Sequence, residues 1–491
     1  MKAKIGLYSI GLQKYWEQFE GLKERLVGYN RFISEKMSGF DCEVFNFGLV
    51  DCEERARAAG EFFNENNVDM IFLHCATYAT SAAVVPAHRI CKVPVVILNL
   101  QPSVAVNYEK TTTGEWLAHC NACAAPEVAN ALNRFEIPYR TVSGLLGLEQ
   151  SPAISVADER TSERPEAVRA WSEIGEWIRA AGVVRALRYG RFGFLGNNYS
   201  GMLDLYSDFT MLQAQTGIHV EILEMCDLHA CLEEVTDADV ALQMKKMKEM
   251  FRISGDSPSD PLAKKPSEEQ LLWSARVAAA QYKMVERYRL DALAYYYHGT
   301  EGKEYERVQS GFIVGHSLLT AEHVPCAGEG DLKTAVAMKI CDLLGTGGSF
   351  CEPVTTDYLD GTCLVGHDGP FHIRISDGKP ILRGMGLYHG KKGSGVSVEA
   401  KVRKGDVTTL GLTQTFDGRL KFIVSEGVAT DGKIMAIGNT QTPVRFRYDP
   451  DTYMEKWFAE APTHHFALSV GKNAELFRKV ADLMGIKIVV L

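Results

Sequence analysis

IGLYSI at positions 5–10, CEVFNF at 42–47, MIFLH at 70–74 and VPVVIL at 93–98 are four short apolar runs. The stretches Tyr15 to Met37 and Glu53 to Asn66 fall between them and carry apolar residues at helical spacing. Short apolar runs alternating with amphipathic helices describe a parallel sheet covered on both faces. Residues 1–165 are therefore expected to form an α/β domain. The polar stretch 157–165 reads as a linker that opens a helix from Glu166 to about Ala181.

A second round of the same alternation follows. Arg191 to Gly196, Val220 to Met225 and Asp291 to Tyr296 read as strands; Leu203 to Thr216, Asp237 to Phe251 and Glu268 to Tyr288 read as helices. After Leu344 the texture changes to a glycine-rich run, Gly345-Thr346-Gly347-Gly348-Ser349, and then to short β-like segments. These are Phe371 to Ile375, Val396 to Val402, Val407 to Thr413 and Arg419 to Glu426, interrupted by Asp-Gly turn signals. A helix from Ala474 to Met484 ends at Gly485 and leads into a final strand. The expected fold is thus two Rossmann-like α/β domains, 1–165 and 166–344, followed by a mainly antiparallel, barrel-like β domain, 345–491. No sequence repeat marks a duplication.

The bulk composition narrows the function classes. At 491 residues with 46% hydrophobic and 23% charged, the chain can bury a sizeable core, which excludes disorder. A net charge of −9 with both signs interleaved argues against a nucleic-acid partner and for a small molecule. The apolar run ending near Ile10 is too short for a secretory segment, and no run reaches the roughly eighteen apolar residues of a membrane span. The 12 cysteines are scattered, several inside apolar runs, so a reducing cytoplasm is expected. The single CxxC, Cys120 to Cys123, has no second pair at zinc-finger spacing.

Carboxylates and imidazoles in glycine-rich or apolar surroundings are the residues that could do chemistry. They occur in Gly328-Glu329-Gly330-Asp331, Ser349-Phe350-Cys351-Glu352, Val365-Gly366-His367-Asp368 and Pro462-Thr463-His464-His465-Phe466. Two of each type would make a mixed oxygen/nitrogen shell suited to Mn²⁺, Co²⁺ or Mg²⁺. Spacing alone does not establish such a site, because the segments span more than a hundred residues.

These segments resemble the metal site of the L-arabinose isomerases, in the superfamily that also holds the L-fucose isomerases. Gly328-Glu329-Gly330-Asp331-Leu332-Lys333-Thr334-Ala335 is similar to that family's GEGDxKTA motif. Glu352, the Gly366-His367 pair and the tandem His464-His465 match its further ligand segments. The resemblance implies metal ligands Glu329, Glu352, His367 and His465, with Glu329 and Glu352 also moving protons. It implies substrate contacts from Gln13 and Tyr15 after the first strand, in a segment that otherwise departs from the family. It further implies a homo-oligomer, a trimer or hexamer, whose neighbouring subunits complete each site.

The chemistry explains the residue types. Moving a carbonyl between C1 and C2 of an aldose requires taking a weakly acidic C–H proton and returning it to the adjacent carbon through an enediol(ate). A divalent cation polarises the carbonyl, and a carboxylate relays the proton. The expected activity is a metal-dependent aldose-ketose isomerase on a free sugar. A metal-dependent lyase or epimerase on the same scaffold, and a non-catalytic sugar binder, are the competing readings.

Plainer roles compete at each residue. Glu329 could serve only as the acidic start of the helix near Asp331. His464 and His465, if on a strand, would face opposite ways. Lys333 could orient a sugar oxygen or be a solvated helix lysine, and His298, after the run Tyr295-Tyr296-Tyr297, could line the cleft or merely end an aromatic core. Gly196-Asn197-Asn198-Tyr199-Ser200-Gly201 lacks a P-loop's lysine and a dinucleotide fingerprint, and reads as a sugar-facing or interdomain loop.

Overall fold

The computed structural model describes residues 1–150, 160–297, 303–388 and 391–491. The chain divides into two compact units, 1–186 with 482–485, and 187–481 with 486–491. Residues 157–159 of the expected linker lie outside the described residues.

In the first unit the order is β1 (Ala3–Ile10), α1 (Leu22–Met37), β2 (Cys42–Val50), α2 (Glu53–Glu65), β3 (Met70–Cys75), α3 (Val85–Ile90), β4 (Val95–Gln101), α4 (Thr113–Leu117), α5 (Ala124–Arg134), β5 (Tyr139–Leu145) and α6 (Pro165–Arg188). The strands form one parallel sheet in the order β2-β1-β3-β4-β5. Alternate residues serve opposite faces: Leu7, Phe72 and Leu98 pack beneath α1 and α6, whereas Tyr8, Leu73 and Ile97 pack beneath α2 and α5. Both faces of the central strands β1, β3 and β4 are covered, which is why these read as nearly unbroken apolar runs, while the edge strands β2 and β5 keep polar and exposed residues. Helix α6 places Trp171, Ile174, Trp177 and Ile178 in the first of these cores, so it packs with the first unit. Burying each such side chain contributes about 1.5–3 kcal/mol. The helix expected from Tyr15 begins only at Leu22, because Gly21 takes a left-handed φ of 77° and reverses the chain; Gln13–Tyr15 is a 3-10 turn.

The second unit opens with β6 (Arg191–Gly196), α7 (Phe209–Thr216), β7 (His219–Leu223), α8 (Met225–Glu233), α9 (Asp237–Met250), β8 (Arg252–Ile253), β9 (Ala263–Lys264), α10 (Glu268–Tyr288), β10 (Ala292–Tyr296), α11 (Glu304–Ser310), α12 (Phe312–Ala321), β11 (Cys326–Ala327) and α13 (Leu332–Leu343). Its strands β11-β10-β6-β7 make a second parallel sheet. Then come β12 (Gly347–Asp357), β13 (Thr362–His367), β14 (Ile381–Tyr388), β15 (Lys391–Glu399), β16 (Gly405–Gln414), β17 (Leu420–Ala429), β18 (Thr440–Phe446), α14 (Pro450–Ala459), β19 (Phe466–Val470), α15 (Ala474–Met484) and β20 (Lys487–Val490). Strands β16-β19-β12-β13-β18-β17 close on themselves as a six-stranded antiparallel barrel, and β20 adds to β17 in parallel. Closure removes free edges. Val365, Val407, Ile423, Val444, Phe466 and Trp457 belong to its core. The mainly antiparallel, barrel-like character expected of the last third is present.

Phe371 to Ile375 is not a strand. Its backbone N–H groups are taken by side chains, Phe371 by Ser317 Oγ at 3.0 Å and His372 by Ser349 Oγ at 3.2 Å, and Ile373–Ile375 curls into a 3-10 turn. Cys120 and Cys123 are paired as a disulfide, while the other ten cysteines are free. Among the described residues, no helix is long and apolar enough to cross a membrane.

Candidate functional site

Strand register explains how residues more than a hundred positions apart meet. β12 lies between β19 and β13, with Cys351 paired to Phe466 and Glu352 paired to Gly366. That registry brings Glu352, His367 and the residues just before Phe466 to one level of the barrel. Gly366 is required there: a Cβ would lie 1.8 Å from the Thr440 carbonyl oxygen on β18. Glu329 arrives from the carboxyl end of β11, immediately before α13.

Glu329 has a left-handed φ of 57°, a conformation that costs a non-glycine residue roughly 1–2 kcal/mol. The surrounding structure holds it there. The Tyr199 N–H donates to the Glu329 carbonyl at 3.0 Å, the Gly330 N–H donates to the Tyr295 carbonyl at 2.9 Å, and Asn198 Nδ2 donates to the Gly330 carbonyl at 2.7 Å. The Gly196–Gly201 loop is therefore the clamp on this turn. Gly330, at φ 73°, packs so closely on Asn197 that a Cβ would stand 2.3 Å from its carbonyl oxygen.

Donor atoms of Glu329, His464 and His465 lie within 4.8 Å of one another, and so do those of Glu352, His367 and His465. The four residues singled out by the motif segments thus meet, together with His464. Both tandem histidines reach the centre because they precede β19 and escape its alternation. Phe350 packs against His367 and His465, with ring centroids at 4.6 and 4.3 Å.

Each imidazole directs Nε2 toward Glu329 and Nδ1 toward an aspartate. The Nε2 distances to Glu329 are 3.8 Å for His367, 3.7 Å for His464 and 3.4 Å for His465. The partners of Nδ1 are Asp368 at 2.8 Å, Asp204 at 2.6 Å and Asp331 at 3.0 Å. His464 Nε2 also stands 3.8 Å from Glu352, whose side chain keeps 34% of its exposure. The sequence alone points to a role for none of the three aspartates. Asp204 lies 260 positions from His464 in a stretch read as ordinary helix, and no local pattern signals it.

Burial raises the Asp331 carboxyl, but the bond from His465 and the charge of Lys333 outweigh this and hold it well below the usual range. Burial lowers His465, only partly opposed by Asp331. An ionised Asp331 only accepts, so the neutral His465 carries its proton on Nδ1 and turns a lone pair on Nε2 toward Glu329. Burial also raises Glu329, and the contact with His464 and the charge of His367 bring it below its ordinary value. His367 goes up, because Asp368 and the glutamates outweigh its burial. His464 is pushed up to about 10, because Asp204 and Glu329 outweigh its burial.

Glu329 Oε2 and His465 Nε2 are both buried without a hydrogen-bond partner, and they face each other at 3.4 Å. Two electron-rich atoms so placed repel unless positive charge lies between them. The donor set fits a divalent cation.

Helix-start duty belongs to Asp331, not Glu329: the Asp331 side chain accepts from the Thr334 N–H at 3.1 Å and from Thr334 Oγ1 at 2.6 Å. Lys333 is not solvated. It is wholly buried and donates to the Leu205 carbonyl at 3.2 Å and to Ser207 Oγ at 2.9 Å. Beside Glu329 and His367 a pocket of about 170 Å³ opens, lined in part by Tyr199, Tyr295, Tyr296, Phe312, Met385 and Val396. Gln13 and Tyr15 lie in the first unit, on the turn after β1. His298 lies outside the described residues.

No family model matches the chain. Its sequence is similar to the L-arabinose isomerase of Nocardioides sp., 27% identical over 337 residues covering 67% of this chain and 64% of that protein. The L-arabinose isomerases of Aeromonas salmonicida and Escherichia coli are 24% and 23% identical, each over 66% of this chain and 64% of their own length. The chain therefore matches a little under two thirds of the length of these relatives. A periplasmic solute-binding protein of Actinobacillus succinogenes with bound D-allose aligns over 70% of this chain and 92% of its own at 11% identity. Its TM-score of 0.17 carries no argument.

Proposed function

We propose that this protein is a metal-dependent aldose-ketose isomerase acting on a free sugar through an enediol(ate). Glu329, Glu352, His367 and His465 would hold the cation, Mn²⁺ before Co²⁺ or Mg²⁺. The observation that carries the reading is the buried, unpartnered pair Glu329 Oε2 and His465 Nε2, set among groups of both charge types. The relatives named L-arabinose isomerase point to the same chemistry.

When bound, the cation polarises the sugar carbonyl. The chain's own residues do the rest. Glu329, locked by its turn and faced by three imidazoles, is held ionised and ready to accept a proton from carbon. Glu352, on β12 and more open to solvent, would enter protonated and give that proton to the adjacent carbon, and exchange with solvent would then free Glu329 of the proton it took and reload Glu352 for the next turnover. His465 is fixed by its hydrogen bond to Asp331, and Asp368 faces His367 at 2.8 Å, so the acceptor geometry is set before substrate arrives. The Tyr199–Tyr296 pair, 4.7 Å between centroids, walls the pocket beside Glu329.

Gln13, Tyr15 and His298 are assigned to the sugar, in a cytoplasmic homo-oligomer, a trimer or hexamer whose neighbouring subunits complete each site. The test is to incubate metal-stripped protein with pentoses, hexoses and deoxy sugars, with and without Mn²⁺, and to follow interconversion by NMR. Metal-dependent movement of the carbonyl is expected. Epimerisation, a change of mass, or no reaction across the panel would overturn the isomerase assignment.

A further inference from the structure

Asp204 sits on the 3-10 turn Leu203–Leu205, outside every segment that carries the metal-site resemblance. Its Oδ2 accepts twice from one residue, from the His464 backbone N–H at 3.0 Å and from His464 Nδ1 at 2.6 Å. Two bonds to a single oxygen fix both the backbone and the ring of His464. With Nδ1 so engaged, Nε2 has one direction left, and it stands between Glu329 Oε2 at 3.7 Å and Glu352 Oε2 at 3.8 Å.

The turn that carries Asp204 is itself pinned. Lys333, a fully buried lysine on α13, donates to the Leu205 carbonyl and to Ser207 Oγ. A buried ammonium is costly unless its donors are used, and this one spends two of its bonds on the 205–207 backbone and hydroxyl. Asn198 Nδ2 adds a contact to the Leu205 carbonyl at 3.3 Å while also holding Gly330. The same helix start that places Asp331 behind His465 therefore also fastens the turn that places Asp204 behind His464.

The two histidines nevertheless differ in setting. His465 is wholly enclosed, whereas the His464 side chain keeps 34% of its exposure and borders the open side of the centre, next to the equally exposed Glu352. We propose that Asp204, on a turn pinned by Lys333, is a positioning residue that holds His464 with Nε2 toward both glutamates, as a hydrogen-bonding group for a substrate oxygen beside the ligand His465. This rests on the isomerase reading of the site for its consequence in turnover, and on geometry alone for the orientation of His464.

Asp204→Asn tests both parts, with Asp204→Glu as the conservative variant. In metal-free protein, long-range ¹H–¹⁵N imidazole spectra report which ring nitrogen carries the proton. Asp204→Asn is expected to move the Nδ1 signal of His464 and to leave that of His465 in place. With Mn²⁺ and a sugar the wild type converts, kcat is expected to fall about tenfold to a hundredfold. Mn²⁺ affinity by calorimetry should stay within about twofold, since the ligands keep their own aspartates. Asp204→Glu should recover part of the loss.

An unmoved His464 signal would overturn the orientation. An unchanged kcat would overturn the role in turnover, and a Mn²⁺ affinity that falls in step with kcat would make Asp204 part of the metal cage instead. If the wild type converts no sugar, the isomerase reading fails on that result, while the imidazole spectra still decide whether Asp204 holds His464.

Discussion

Nδ1 of His465 donates to Oδ2 of Asp331 across 3.0 Å, and both side chains are wholly buried. The aspartate fixes the tautomer, and the tautomer decides that Nε2 offers a lone pair to the centre. Removing the charge of Asp331 should therefore be felt at the metal. Asp331→Asn keeps a competent helix cap for α13. It should weaken Mn²⁺ binding by about tenfold to a hundredfold, the usual effect of losing a hydrogen-bond partner behind a ligand. Calorimetry on the folded variant, checked by circular dichroism, measures this; wild-type affinity would contradict the role given to Asp331.

Glu329 and Glu352 carry the proposed proton transfers from different settings, one nearly enclosed and one open. Glu329→Gln and Glu352→Gln should each remain folded and lose isomerase activity by about a hundredfold to ten-thousandfold, the range for removing a positioned acid or base. Glu329→Gln should also bring His464 down from about 10, because one of the carboxylates that hold it up is gone. Sugar conversion and histidine titration by NMR follow the two effects separately. Full activity in either variant sinks the assignment of that glutamate.

Stability should respond to acid before the ordinary carboxylates titrate. Burial lowers His74 and His316 to about 3 and His88 to about 4. These rings stay neutral in the folded chain while the unfolded chain begins to bind protons near pH 6.5. The unfolded state therefore gains protons as pH falls from about 6.5 toward 4, and each ring costs up to about 1.4 kcal/mol per pH unit over that window. His464 has the opposite sign: its raised value contributes stability that is present below about 6.5 and lost as pH rises through about 10. Urea midpoints should accordingly drop between pH 7 and pH 5. Midpoints that stay level across that interval would contradict the neutral buried histidines.

Much of the architecture is legible without coordinates because it is local. The runs at 5–10, 70–74 and 93–98 are apolar on both sides of the strand, as a strand buried on both faces must be, whereas 42–47, on the half-exposed edge strand β2, keeps Glu43 and Asn46. The alternating segments after Val396 announce β structure in the same way. Phe371 to Ile375 has the composition of a strand and is not one, because Ser317 and Ser349 supply the acceptors that a neighbouring strand would have supplied.

The sequence by itself determined the parallel sheet of the first unit, the β character of the last third and the motif segments around Glu329, Glu352, His367 and His465. Only the tertiary structure decided that both tandem histidines face the centre, that Lys333 is buried against the 205–207 turn, and that each imidazole is backed by its own aspartate. The physical reason is range. Hydrophobic periodicity is written into neighbouring residues, whereas a hydrogen bond from His464 to Asp204 spans 260 positions and exists only after the barrel and the second sheet have placed their loops together.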